Sequence, residues 1–365
     1  MAINIKGLLE GVVLHNASDL HLKVGGPPMV RINGHLHPVQ HPPLAPEDTE
    51  EANKLMMPDR CREQLDRDGT VDYSYGLSMT ERFRVNCYHQ RGAKSLAIRK
   101  IMSRRMSLEE LNLPTQIIKL ANMHRGLVLV TGITGCGKSS TLSALVHVIN
   151  STRREHIITI EDPIEFIYVD EKSIIDQVEV NQDVSDFKVA LRHALRQDPD
   201  IILLGELRDR ETLEVAMHCV ETGHLVFSTL HTPDARQTIT RISHFFTHEE
   251  QPLIFEQMSQ NLMGVVCQRL LRTADGKGRV PCCEILFSTA IIQKLIAERR
   301  VEDIQQVLRS GVEGMHTFDM HLVQMVKTNT ITVEEAIGVV EDEAAFRRLL
   351  KGHVAGGDRG SLLGG

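Results

Sequence analysis

"TGITGCGKSST", Thr131 to Thr141, decides how this chain is read. It contains G-x-x-x-x-G-K-S, running from Gly132 to Ser139. Glycines at this spacing let the backbone turn so that N–H groups face phosphate oxygens, the lysine adds a positive charge, and the hydroxyl after it can ligate Mg²⁺. The preceding "LVLV", Leu127 to Val130, is a short continuous apolar run, as in a buried parallel strand. After Lys138 the apolar positions Leu142, Leu145, Val146 and Ile149 fall on one helical face. Strand, glycine loop and helix in that order predict a triphosphate site. Its expected nucleotide-binding residues are Gly132, Thr134, Gly135, Cys136, Gly137, Lys138, Ser139 and Ser140. No NKxD guanine-reading motif follows, which favours ATP over GTP.

Downstream of the loop, apolar strands alternate with helical segments: "HIITIED", "FKVALRHALRQ", "IILLGE", "RETLEVAMHCVE" and "HLVFSTLH". That alternation predicts an α/β fold with a doubly wound parallel sheet. From about Glu249 onward the pattern reads as mostly helical. Upstream, "SDLHLKV", the hairpin "MVRINGHLHPV" with Asn33-Gly34 at its tip, "TVDYSYGL", "RFRVNCYHQ" and "SLAIRKI" read as strands. With a helix beginning near Glu47 and few others, they predict an α+β module. The expected domains are residues 1–103, a linker at 104–125, an ATPase domain with a C-terminal helical part at 126–353, and a Gly-rich, flexible tail at 354–365.

Three further stretches can answer the phosphate loop. "TIEDPIEF" supplies Glu161, Asp162 and Glu165 after a strand, and Pro163 stops any helix there. "IILLGE" puts Gly205 where the usual metal-positioning Asp would stand, with Glu206 next. "ETGHLVFSTLHT" brackets a strand with His224 and His231. Such histidines are often structural, but His231, at the strand's C-terminal end, can sense a γ-phosphate. Cys136 lies near a helix N-terminus, where a thiol can acidify and oxidise. The plainer reading is a small side chain turned away from phosphate. His35, His37 and His41 lack a carboxylate or Cys partner, so a metal site there is not favoured.

Bulk properties narrow the choice. The 365 residues suggest about two domains. Aromatics make up 4% with no Trp, and the net charge is −7, which argues against a base-stacking or strongly basic nucleic-acid surface. No apolar run approaches the ~20 residues that span a bilayer. The N-terminal "MAINIKGLLEGVVLHNASDLHL" does not read as a signal peptide. The 7 scattered cysteines form no C-x-x-C pair and fit a reducing cytoplasm.

"DPIEF" with "HALRQDPDIILLGELRD" and "ETGHLVFSTLHT", together with "SDLHL", "RFRVN" at Arg82–Asn86 and "GMHTFD" at Gly314–Asp319, resembles the PilT-like ATPases of type IV pilus machines, within the secretion-ATPase superfamily. The resemblance spans nearly the whole chain. It implies a PAS-like N-terminal domain, a RecA-like ATPase domain and a homohexameric ring at the cytoplasmic face of the inner membrane. Such a ring turns ATP hydrolysis into work on a membrane platform protein, powering pilus retraction and twitching motility, in some cases beside a partner pilus ATPase. By motif position, Lys138 and Ser139 hold phosphate and Mg²⁺, and Glu206 reaches the metal through water. Glu161, Asp162 and Glu165 form an Asp box with Glu165 as general base, and His224 and His231 form a His box. Arg84 and Arg99 act as arginine fingers from a neighbouring subunit. Retraction motors carry a helix reading roughly A-I-R-N-L-I-R-E, whereas "IIQKLIAE", Ile291 to Glu298, has Gln293 and Ala297 in place of both arginines. A divergent paralogue with an auxiliary or regulatory role is therefore the alternative. The tetracysteine zinc site of extension motors is missing. A RecA-type nucleic-acid translocase and a small-molecule kinase fit the phosphate loop alone, but not the acidic balance or the separate arginine-bearing module.

Overall fold

The computed structural model describes residues 3–32, 34–78, 81–101 and 106–352; Asn33 of the expected hairpin tip and the tail at 354–365 lie outside them. The chain divides into two compact units. The first comprises Met1–Arg105 with Glu161–Val169 and Val178–Asp186, and the second takes the remainder.

In the first unit, a six-stranded antiparallel sheet runs in the order β3-β2-β1-β6-β5-β4. Its strands are β1 (Asp19–Leu22), β2 (Met29–Ile32), β3 (His35–Pro38), β4 (Thr70–Gly76), β5 (Arg82–Gln90) and β6 (Ala93–Lys100). Strand alternation sends Phe83, Val85 and Cys87 of β5 inward and leaves Arg84 on the opposite, exposed face. The buried face joins Leu9 and Val12 of the helix Ile5–Leu14, Ala52 and Met56 of Pro46–Met56, and Cys61 and Leu65 of Arg60–Asp68 in one core. Sequence periodicity understated these helices. Arg60–Asp68 buries only Cys61 and Leu65, an i, i+4 pair within an otherwise polar segment.

The segments 161–169 and 178–186, expected in the ATPase domain, belong to the first unit. Polar contacts hold the second of them. Ser74 Oγ donates to the Glu179 carboxylate at 2.5 Å, Arg82 Nη2 at 3.2 Å, and Arg60 Nη2 donates to Gln182 Oε1 at 3.1 Å. Residues from Met106 onward, most of the expected linker, belong to the second unit.

The second unit carries a seven-stranded sheet in the order β13-β12-β7-β11-β10-β8-β9. The strands are β7 (Gly126–Thr131), β8 (His156–Glu161), β9 (Ile174–Glu179), β10 (Ile201–Leu204), β11 (Leu225–Leu230), β12 (Leu262–Arg272) and β13 (Arg279–Phe287). Pairing is parallel from β8 through β10, β11 and β7 to β12, and antiparallel between β12 and β13. Every residue of β7, β10 and β11 is buried, as helices on both faces of a parallel sheet require. The sequence predicts mostly helix beyond Glu249, and here the structure differs. β12 and β13 are long strands, and the helices Ala290–Ala297, Phe318–Lys327 and Glu343–Leu350 follow them. Both strands are nearly continuous buried runs, so no polar alternation reveals them, and periodicity cannot separate such runs from a buried helix. Among the described residues, no helix is long and apolar enough to cross a membrane.

Glu284 of β13 sits opposite Cys267 of β12, almost wholly buried, and accepts from the Ala235 N–H at the start of the helix Ala235–Ser243 at 3.0 Å. Burial pushes its carboxyl up to about 7. The folded state thus favours the protonated form. This contribution is full below the ordinary carboxyl range and is lost as pH rises through about 7. Its span is about 3 kcal/mol. Glu284→Gln keeps an acceptor for the Ala235 N–H and removes the buried charge. Thermal melts should show the variant gaining on the wild type between pH 5 and pH 8, with its advantage largest at pH 8.

Candidate nucleotide site

β7 ends at Thr131, and the glycine loop leads into the helix Lys138–Thr152. Gly132 has φ +139°, and a Cβ there would lie 2.4 Å from the Gln268 carbonyl oxygen, so no side chain fits. Gly137 caps the helix in the left-handed region at φ +93°. Thr134 and Gly135 are exposed at the loop crest, and Ser139 and Ser140 are half-buried in the first helical turn. Lys138 Nζ donates to the carbonyls of Gly132 at 2.8 Å and Ile133 at 3.2 Å.

From Lys138 a row of polar groups crosses the carboxyl ends of three strands, where sites of open α/β sheets lie. Lys138 Nζ is 3.4 Å from His231 Nδ1, just beyond β11. His231 Nε2 is 3.2 Å from Glu206 Oε1, just beyond β10. Arg208 Nε donates to Glu206 Oε2 at 2.8 Å. An ammonium can only donate and a carboxylate only accept, which assigns the proton of a neutral His231 to Nε2. The loop after β10 is tied to β11, since Thr229 Oγ1 donates to the Gly205 carbonyl at 2.7 Å and Leu207 N–H to the Thr229 carbonyl at 3.1 Å. A cavity of about 660 Å³ opens beside this row, lined by Glu206, Arg208, His231, Arg236, Arg241 and His244.

Cys136 is 2% exposed. Burial pushes its thiol up, and the nearby Lys138 charge does not reverse this. A Cβ on Gly132 would meet Cys136 Sγ at 2.7 Å, so the thiol packs beneath the loop rather than at its phosphate-facing crest.

Lys138, His231 and Glu206 are therefore brought together, and His224 is not. His224 precedes β11, at the opposite end from His231, where its Nδ1 lies 2.8 Å from the Cys219 carbonyl and 3.1 Å from Thr222 Oγ1. This places it at the C-terminus of the helix Arg210–Glu221.

Glu161, Asp162, Glu165, Arg84 and Arg99 lie in the first unit. Glu161 ends β8, buried, and its Oε2 accepts from the Glu165 N–H at 3.3 Å. Arg84 Nε is 3.6 Å from Asp72 Oδ1, and both side chains are about half exposed. The pair lines a cavity of about 360 Å³ that also includes Asp162 and Glu179. Arg99 Nε donates to Asp19 Oδ1 at 2.9 Å. Burial opposes ionisation of Asp19, but hydrogen bonds from Ser18 and Arg99 outweigh it and hold the carboxyl below its ordinary range.

Three residues emerge only from the structure. Gln268 of β12 donates from Nε2 to the Cys136 carbonyl at 3.0 Å and accepts at Oε1 from Thr141 Oγ1 at 2.8 Å. Arg208 extends the Glu206 row, and Glu179 is a buried carboxylate whose acid is weakened by burial. The one sequence signal for Gln268 is an amide inside the apolar run "GVVCQRLL".

The family described as "Type II/IV secretion system protein" matches residues 1–357. The chain is 40% identical over 335 residues to the type IV pilus retraction ATPase PilT of Pseudomonas aeruginosa, covering 92% of this chain and 97% of that protein. It is 38% identical over 345 residues to the type IV pilus ATPase PilU of the same organism, covering 94% and 90%. A crystal structure of the pilus retraction motor PilT with bound ADP superposes with a TM-score of 0.88 at 39% identity, covering 95% of this chain and 99% of that one.

All seven cysteines are free and buried. A chromogenic disulfide reagent should find no fast-reacting thiol in the native protein and seven after denaturation. Rapid labelling of Cys136 in the native state would contradict the packing beneath the loop.

Proposed function

This chain is a member of the type II/IV secretion system protein family and an ATPase, and we propose that it is the hexameric motor that powers type IV pilus retraction at the inner-membrane platform. The observation that carries this reading is the hydrogen-bonded row Lys138–His231–Glu206 at the strand ends, in a chain that matches a retraction ATPase over nearly its full length.

Phosphoryl transfer depends on positioning and on positive charge at the equatorial oxygens. In this reading the loop from Gly132 to Ser140 cradles the phosphates, and Lys138 moves from the Gly132 and Ile133 carbonyls to the terminal phosphate. His231, held between Lys138 and Glu206, transmits that movement along the row. The Ser139 hydroxyl and the Glu206 carboxylate form an all-oxygen donor set that suits Mg²⁺, with Glu206 acting through water. When bound, the metal supplies charge neutralisation to the phosphate oxygens. Glu165 is the general base that orients and deprotonates the attacking water, next to Glu161 and Asp162 in the Asp box.

Arg84 and Arg99 supply further charge from a neighbouring subunit. Their present partners, Asp72 and Asp19, make the two hands unequal. Arg84 holds an exposed pair worth about 1 kcal/mol or less, so it is readily released. Arg99 faces a largely buried carboxylate. His224 serves the fold of the helix end rather than the phosphate row. Work against a ring on the cytoplasmic face of the membrane then follows from charge that arrives only when subunits close.

The helix Ala290–Ala297 favours one variation on this reading. Gln293 donates to Ser288 Oγ at 3.1 Å and Ala297 is exposed, where retraction motors carry arginines. An auxiliary paralogue that assists a partner motor would tolerate such a face. Deleting the gene from its host separates the two roles. Complete loss of twitching with excess surface pili identifies the main retraction motor, whereas a partial defect under load identifies the auxiliary.

Purified protein tests the chemistry. Lys138→Ala and Glu165→Gln should abolish ATP turnover, and Arg84→Ala should lower kcat by about 10³-fold with nucleotide affinity little changed. Normal turnover by Glu165→Gln would remove it as the base.

A further inference from the structure

Gln268 is 3% exposed, so its amide must find protein partners or lose hydrogen bonds it makes in water. Both of its partners belong to the phosphate loop and the helix that follows. Nε2 donates to the Cys136 carbonyl at 3.0 Å, and Oε1 accepts from the Thr141 hydroxyl at 2.8 Å. The reverse amide orientation would set Oε1 against a carbonyl oxygen, so the chemistry allows one orientation. Strand register puts Gln268 there. Cys267 pairs with Thr131, so Gln268 stands one residue past the end of β7, level with the loop. Its backbone lies close enough to the loop to exclude a side chain at Gly132. A Cβ on Gly132 would lie 2.4 Å from the Gln268 carbonyl oxygen, and one on Gly137 would lie 3.1 Å from Nε2.

The Cys136–Gly137 peptide is planar and trans, so its C=O and N–H point in opposite directions. Gln268 draws the C=O into the protein, and the Gly137 N–H is thereby aimed away from the core. We propose that Gln268 is a positioning residue for nucleotide binding: by anchoring the Cys136 carbonyl it directs the Gly137 N–H at the phosphate oxygens of a nucleoside di- or triphosphate. The inference rests on the loop being the nucleotide site, and it adds what orients the loop from below. Gln268 touches no phosphate. Its effect passes entirely through one peptide plane, and Thr141 is the second anchor of the amide rather than part of that path.

Calorimetric titration of the full chain with ADP, alongside thermal melts without nucleotide, tests this. Gln268→Met keeps the side-chain length and removes the donor; it should weaken ADP binding about tenfold, the consequence of one lost charge-assisted hydrogen bond. Gln268→Glu keeps the shape and the acceptor for Thr141, replaces the donor, and should weaken ADP to a similar degree at pH 8; it also serves if the Met variant does not fold. Thr141→Val leaves the Gln268–Cys136 bond in place, so it should lower the melting temperature while ADP affinity stays within twofold of wild type. Lys138→Ala reports on the site itself and should lose ADP binding. Wild-type affinity in both Gln268 variants with loss in Lys138→Ala overturns the positioning role and leaves the site standing. Weakening by Thr141→Val equal to that of Gln268→Met also overturns it, since packing would then be the cause. Normal binding by Lys138→Ala overturns the site and the positioning role together.

Discussion

Thr131 ends β7 level with Leu230 of β11 on one side and Cys267 of β12 on the other. That two-sided parallel register is the constraint on which the site depends. It brings the loop after β7 against His231, one residue past Leu230, and against Gln268, one residue past Cys267. Shifting either pairing by one residue would turn these side chains to the other face of the sheet. The register is held by fully buried strands whose backbone groups pair mainly along the ladder, so slippage would leave backbone groups unpaired in an apolar layer. The glycines of the loop are a second consequence. Gly132 is required by the carbonyl of the neighbouring strand as much as by any ligand.

The sequence made the centre of the sheet legible and its margins obscure. β7, β10 and β11 are short apolar runs separated by helices of clear 3.6-residue period, and a parallel sheet is the one economical way to bury them. β12 and β13 carry the same buried character over greater length, so they read as helix. "SIIDQVEV", which forms β9, has neither clean alternation nor a continuous apolar run. The phosphate loop and the acidic and histidine stretches were legible because their chemistry is local. Gln268 was not, because its place beside the loop is set by a strand pairing distant in sequence, Thr131 with Cys267. His224 and His231, which the family resemblance groups in one His box, lie at opposite ends of β11, His224 at the C-terminus of the helix Arg210–Glu221 and His231 beside Lys138 and Glu206.

The two arginines expected to deliver charge are both bound to carboxylates of their own unit, and the chemistry of those pairs differs. Asp72 is solvent-exposed and interacts with Arg84 through a screened, weak contact. Asp19 is largely buried, accepts from Ser18 as well as Arg99, and keeps its charge below the ordinary carboxyl range. Removing Arg99 from Asp19 would leave a partly desolvated carboxylate with fewer donors, a costlier event than freeing Arg84. The Arg99–Asp19 pair also ties β6 to its neighbour β1 across the middle of the sheet, whereas the Arg84–Asp72 pair lies on the exposed face of β5 and β4.

β12 also links the loop to the C-terminal helices. Successive residues of a strand face opposite sides, and Gln268 and Arg269 use both. Gln268 holds the Cys136 carbonyl and the Thr141 hydroxyl, while the Arg269 guanidinium stacks 4.2 Å from the Phe318 ring centroid and donates to the Val339 carbonyl at 2.9 Å. Two adjacent residues of one strand thus grip two parts of the second unit, one against the phosphate loop and one against the helical part that follows β13. The strand between them is one peptide bond long, and both residues are paired with β13, Gln268 with Cys283 and Arg269 with Cys282, so it has little slack to absorb a shift. A displacement of the helix Phe318–Lys327 relative to the sheet is opposed, through Arg269, by the same hydrogen-bonded ladder that places Gln268 against the phosphate loop.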